Sequence, residues 1–165
     1  MALSLAIITY NEEENIVRLL DSLADIVDEV IIVDSFSTDK TKEICTQKYP
    51  QIKFFEKTFN GYGEQKNHAL HLCSHEWVLF LDADEVPDEN LKRSIQNIIS
   101  SESTEFNVYK AKFNNHLGIH LIRFGGWGNV SRERLFRKKY AKYSDDKVHE
   151  FLITDQKVGL MEGKL

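Results

Sequence analysis

With 165 residues, 42% of them hydrophobic, the chain has the length of one domain and can bury roughly 70% of its unfolded surface without a covalent staple. A formal net charge of −5 argues against a general nucleic-acid-binding surface, and no apolar run approaches a membrane span, so membrane contact is expected to be peripheral only. Cys45 and Cys73 lie far apart, and the N-terminus lacks the basic region of a signal peptide, a pattern that fits a reducing cytoplasm.

Leu3 to Thr9 is a near-continuous apolar run of strand length, as in a parallel strand covered on both faces. Asn11 followed by Glu14 reads as a capping box, with Ile16, Val17, Leu19, Leu20 and Leu23 as the apolar stripe of the helix it opens. Glu29 to Val33 is a second strand. Ser37 or Thr38 caps a helix running to about Lys48, Pro50 breaks it, and Ile52 to Phe55 is a third strand. Gly61 and Gly63 open a helix through about Cys73, Glu76 to Leu81 is a fourth strand, and Asp88 starts a helix to about Ile99. Strands alternating with helices imply right-handed βαβ units and an α/β, Rossmann-like, mostly parallel open sheet with helices on both faces. From Ser101 the pattern changes: Phe106 to Phe113, Arg134 to Arg137 and Val148 to Ile153 are short strand-like runs, so the C-terminal part is mixed or antiparallel.

The chemistry concentrates at strand ends. Trp77 to Leu81 delivers Asp82-Ala83-Asp84-Glu85 into a turn, and residues two apart on an extended segment point the same way. Two hard carboxylate ligands suit Mg²⁺ or Mn²⁺ with water and substrate phosphates filling the other positions. A dinucleotide-binding chain would carry Gly-x-Gly-x-x-Gly after the first strand; here stands Thr9-Tyr10-Asn11-Glu12-Glu13-Glu14, whose glutamates would repel a diphosphate. Asp34 ends the second strand amid the hydroxyls of Ser35, Ser37, Thr38 and Thr41, an arrangement suited to a base or ribose.

Four motifs in order, Ile8-Thr9-Tyr10-Asn11-Glu12, Asp34-Ser35-x-Ser37-Thr38-Asp39-x-Thr41, Gln65-Lys66-Asn67-x-Ala69-Leu70 and Asp82-Ala83-Asp84-Glu85, resemble the inverting glycosyltransferases of family two, with their GT-A fold. Gly125-Gly126-Trp127, Arg134-Leu135-Phe136-Arg137 and Val148-His149-Glu150 are similar to the bacterial lipopolysaccharide core β-glucosyltransferase group. The resemblance implies a single GT-A-like domain, about 1–100 holding the nucleotide sugar and about 101–165 on the acceptor side. It implies a UDP-sugar donor, UDP-glucose first, and a lipopolysaccharide-core or other glycan or lipid-linked acceptor met at the inner face of the cytoplasmic membrane. Thr9, Tyr10, Asn11 and Asp34 then match the base and ribose side, Lys66 a basic position near base and diphosphate, Asp82 the ribose-side acid, Asp84 the metal ligand and Glu150 the catalytic base. Relatives continue past Gly159 to Leu165 with a histidine able to complete the metal shell and a helical extension. A catalytically incomplete nucleotide-sugar-binding module, needing a partner or that segment, is therefore the alternative reading, and a nucleotidyltransferase a more remote one.

Other features read more plainly. His71 and His75 flank Cys73 at a helix end rather than in a metal cluster, and His116 and His120 belong to a loop or the acceptor side. Arg132 and Arg134, at alternate positions in a basic run, could face a phosphate together. Trp127 is equally a core residue or a flat face for a sugar.

Overall fold

The computed structural model describes residues 1–101, 103–114, 116–117, 120–121, 130–146 and 149–165. Its elements are β1 (Leu3–Thr9), α1 (Ile16–Leu23), β2 (Glu29–Asp34), α2 (Thr41–Gln47), β3 (Lys53–Glu56), α3 (Tyr62–Leu72), β4 (Trp77–Phe80), α4 (Glu89–Ser100), β5 (Val108–Lys112), β6 (His116–Leu117), β7 (His120–Leu121), β8 (Ser131–Arg137), β9 (Lys142–Tyr143), β10 (Leu152–Ile153) and β11 (Val158–Lys164). Seven strands form one sheet in the order β11-β5-β8-β4-β1-β2-β3. The β3-β2-β1-β4 half is parallel, β8 runs antiparallel to both β4 and β5, and β11 is parallel to β5. The expected mostly parallel sheet with a mixed C-terminal part is what forms.

Strand alternation sorts the core into two layers. Leu3, Leu5 and Ile7 of β1, Ile32 of β2, Trp77 and Leu79 of β4 and Leu135 of β8 join the apolar stripes of α1, α2 and α4 on one face. Ala6, Ile31, Val33, Val78, Phe80 and Phe136 point the other way, toward Ala69 and Leu70 of α3 and toward Tyr143 and Leu152. Each fully buried large aliphatic or aromatic side chain is worth roughly 1.5–3 kcal/mol, so both layers are needed.

Two expected caps are absent. Asn11 adopts φ 57° before the helix, and its Oδ1 accepts from the Thr38 N–H at 2.8 Å; α1 begins at Ile16 behind Asn15, which makes no side-chain cap bond. Asp39, not Ser37 or Thr38, accepts the Thr41 N–H at 2.9 Å at the start of α2. The loops after β1 and β2 lie side by side and take each other's polar groups, with the Asn11 and Glu13 N–H groups donating to Ser37 Oγ and Asp39 Oδ2, so the tertiary partner wins over the local motif. At the start of α4 the side chain does cap: Asp88 Oδ1 accepts from the Leu91 N–H at 2.8 Å.

β11 was not foreshadowed in the pattern. Its inward positions are Gly159, Met161 and Gly163, so the alternation that marks a strand is hidden by glycines. The glycines are required: a Cβ on Gly159 would press on the rings of Tyr109 and Phe106, and Gly163, at φ 91°, packs on the Leu91 backbone. The strand expected from Val148 to Ile153 is only Leu152–Ile153, paired with β9. Val148 and Gly125-Gly126-Trp127 lie outside the described residues.

Candidate functional site

Parallel strands β1, β2 and β4 all end on one edge, with Thr9, Asp34 and, just beyond Phe80, Asp82 as their last or next polar residues. A cavity of about 800 Å³ opens there, the position where open α/β sheets hold ligands. Thr9, Tyr10, Lys66, Asp82, Asp84 and Glu150, six of the residues singled out in the sequence, line it.

Asp34 and Asn11 stand behind this wall. Asp34 is fully buried; its Oδ1 accepts from Thr9 Oγ1 at 2.7 Å and Ser37 Oγ at 2.6 Å, and its Oδ2 from the Ser37 N–H at 2.7 Å. The carboxylate expected to serve a base or ribose is bonded here to β1 and to the loop after β2. Asn11 ties the same two loops.

On the other wall runs an alternating chain of charges. Lys66 of α3, 4% exposed, places Nζ 2.7 Å from Glu150 Oε1 and 3.4 Å from Asp82 Oδ1, above the rings of Phe80 and Tyr143. Asp82 Oδ2 lies 3.1 Å from Arg134, whose Nη2 and Nε also hold Glu85 at 2.6 and 2.9 Å. Burial raises the Glu85 carboxyl above its ordinary range despite Arg134 beside it. Arg134 is raised in turn, because its two carboxylates outweigh the cost of burial.

Arg134 reaches this spot because the β5–β8 register shifts there: Tyr109 faces Leu135 and Lys110 faces Glu133, leaving Arg134 as the extra residue of a bulge. A bulge re-aims the side chain it carries. Of the two arginines that could face a phosphate together, Arg134 is held by Glu85 and Asp82 while Arg132 is exposed on the rim of the same cavity. Glu85 and Arg134 as a buried pair escaped the sequence reading; they are 49 positions apart, and only the strand order reveals their contact.

Tyr143 was missed as well. Its hydroxyl is buried without a hydrogen-bond partner among the described residues, and burial pushes its pKa up. Tyr10, Phe59, Tyr62 and Phe151, each 44–59% exposed, ring the mouth of the cavity. These faces can stack on a base or a sugar, the role considered for Trp127. His149 next to Glu150 holds a left-handed φ of 68°, a strained turn for a non-glycine residue that sets the direction of the neighbouring carboxylate.

For a divalent cation the donors are Asp82 and exposed Asp84; among the described residues no group of three or more His, Cys, Asp or Glu side chains could hold a metal. Two hard oxygens with a shell completed by water and phosphate fit Mg²⁺ or Mn²⁺. Cys45 and Cys73 are free and buried, and burial pushes both thiols up to about 12.

The profile of the family described as Glycosyl transferase family 2 matches residues 4–156. The chain spans about half the length of the Rickettsia glycosyltransferases it matches, at 33–42% identity over 87% of its own residues. LpsC of Rhizobium meliloti, a lipopolysaccharide core biosynthesis glycosyltransferase, is 32% identical over 96% of this chain and 60% of that protein. Among solved structures, Staphylococcus aureus TarS 1-349 in complex with UDP-GlcNAc is similar with TM-score 0.56 and 29% identity over 68% of this chain and 34% of that one. Glucosyl-3-phosphoglycerate synthase of Mycobacterium tuberculosis, in complex with Mn²⁺ and UDP-glucose, shares the fold with TM-score 0.54 and 24% identity over 67% of this chain and 43% of that one.

Proposed function

The chain belongs to glycosyl transferase family 2 and has the GT-A fold, and from that premise we propose that it moves a sugar, with inversion, from a UDP-sugar to a glycan acceptor. The carrying observation is that Glu150 and the Asp82-x-Asp84 turn open on one cavity and share a single ammonium, Lys66. Inversion requires the attacking hydroxyl and the departing diphosphate on opposite faces of the anomeric carbon, and one cavity that offers a carboxylate for the hydroxyl and a carboxylate turn for the cation of the diphosphate supplies both groups it needs.

Glu150 accepts the proton of the acceptor hydroxyl as its oxygen bonds to the anomeric carbon, and the bond to UDP breaks with its electron pair leaving on the diphosphate oxygen. Asp84 with Asp82 would hold a Mg²⁺ or Mn²⁺, which would supply positive charge for that leaving diphosphate. Thr9 and Tyr10 line the side where the base and ribose fit. The complexes of TarS with UDP-GlcNAc and of the mycobacterial synthase with Mn²⁺ and UDP-glucose support a UDP-sugar donor and a divalent metal, and LpsC supports a lipopolysaccharide-core acceptor. UDP-glucose is the donor we favour. A lipid-linked acceptor would bring the protein to the inner face of the cytoplasmic membrane.

UDP release from UDP-glucose in the presence of acceptor, with Mn²⁺ and then with EDTA, tests the reading in the parent and in Glu150→Gln. Chelation should abolish turnover and weaken UDP binding, and Glu150→Gln should cost about 10²–10⁴ in turnover with UDP affinity kept within a few-fold. UDP bound equally with and without metal would remove the metal role. Binding without turnover by the parent would favour the nucleotide-sugar-binding module.

A further inference from the structure

Glu150 lies between β9 and β10, a ladder of two residue pairs outside the main sheet. So short a hairpin has little stability of its own. It is seated on one face of α3, formed by Gly63, Lys66, Asn67 and Leu70 at helical spacing. Gly63 lies beneath the Ser144 carbonyl oxygen, which a Cβ would overlap. Asn67 presents both ends of its amide to one residue: Nδ2 donates to the Tyr143 carbonyl at 2.9 Å, and Oδ1 accepts the Tyr143 N–H at 2.8 Å. A side-chain amide here takes the place of a neighbouring strand. The Ser144 N–H then donates to the Phe151 carbonyl at 2.9 Å, fixing the residue next to Glu150.

We infer that Asn67 is a positioning residue for Glu150, acting through Tyr143 and the β9–β10 ladder, and that Gly63 is the close-approach position making the clamp possible. The inference deepens the proposed function and rests on it for the role of Glu150. Asn67 itself is absent from the cavity wall, whereas its helical neighbour Lys66 is in it, so loss of the clamp moves the base without removing a donor contact.

Asn67→Ala is the test, read in two ways. Hydrogen exchange of the Tyr143, Ser144 and Phe151 amides should quicken at least about tenfold while β1 and β2 stay protected, because only the local opening is eased. Transfer should fall at least about tenfold with UDP affinity within a few-fold, the signature of a misplaced group that acts after binding. Gly63→Ala, which pushes the hairpin from the opposite end of the same face, should reproduce both effects. Unchanged exchange at those three amides, or exchange quickened equally throughout the sheet, overturns the clamp. A loss of UDP affinity matching the loss of transfer overturns it too, by assigning Asn67 to donor binding. If Glu150→Gln transfers sugar at the parental rate, the base lies elsewhere and the proposed role of Glu150 fails, while the exchange measurement still decides the clamp.

Discussion

Arg134→Met removes a guanidinium that is 5% exposed and lies 2.6 Å from Glu85 and 3.1 Å from Asp82. Methionine keeps most of the apolar stem, so the loss is electrostatic. Breaking one side of a buried pair costs about 3–5 kcal/mol, and the lower half of that range applies because Asp82 keeps Lys66 as a partner. The Glu85 carboxyl, already raised by burial, rises further once Arg134 is gone. The sign follows: a carboxyl with a raised folded pKa costs nothing below its unfolded value near 4.5, and the cost grows as pH climbs toward the folded value. The variant should therefore melt roughly 10–15 °C lower at pH 7, with a smaller gap in acid. Calorimetry at both pH values checks this, together with urea titration of a double-mutant cycle against Glu85→Gln. In the Glu85→Gln background the arginine should matter less by at least about 1 kcal/mol. A cost under about 1 kcal/mol at pH 7, or an identical cost in both backgrounds, would refute a buried pair at the bulge.

Asp34→Ala should destabilise the fold by roughly 1–3 kcal/mol in urea, since Thr9 Oγ1 and the Ser37 N–H lose a buried acceptor; unchanged stability would mean the knot between the two loops is idle. Glu29, at the opposite edge of the sheet, would be raised by burial, but hydrogen bonds from Lys53, Ser4 and Ser74 hold it down at about 2. Stability should hence be full above pH 4.5 and fall by about 3 kcal/mol as pH drops through 2, a slope that Glu29→Gln should flatten in urea midpoints taken across that window.

The sheet was legible because its strands carry their burial in the sequence: Leu3 to Thr9 and Trp77 to Phe80 are apolar at nearly every position, as strands covered on both faces must be. The Asp82-x-Asp84 turn was legible for the same reason, since the strand before it fixes where it points. The caps at Asn11 and Ser37 misled because their polar groups answer to a loop 26 or more residues away. β11 was hidden by glycines where a strand shows apolar residues. The full burial of Asp34 was not legible because residue type says nothing of depth; three donors converge on it there. The Glu85–Arg134 pair and the Asn67 clamp needed the strand order itself, which no periodicity encodes.

Lys66 and Asn67 belong to the first half of the chain, while Glu150 and Tyr143 belong to its end. Asn67 and Tyr143 are 76 residues apart, and Asp82 and Arg134 are 52 apart. Closing loops of that size must precede any reward from the contacts they bring together. During synthesis the parallel strands β1 to β4 can pair as soon as they emerge, but the charged wall of the cavity is complete only after residue 150 has left the ribosome and folded back against Lys66 of α3. Until then Lys66 and Asp82 face solvent beside an unfinished sheet, so a nascent chain can carry the donor motifs long before it has a place in which to use them.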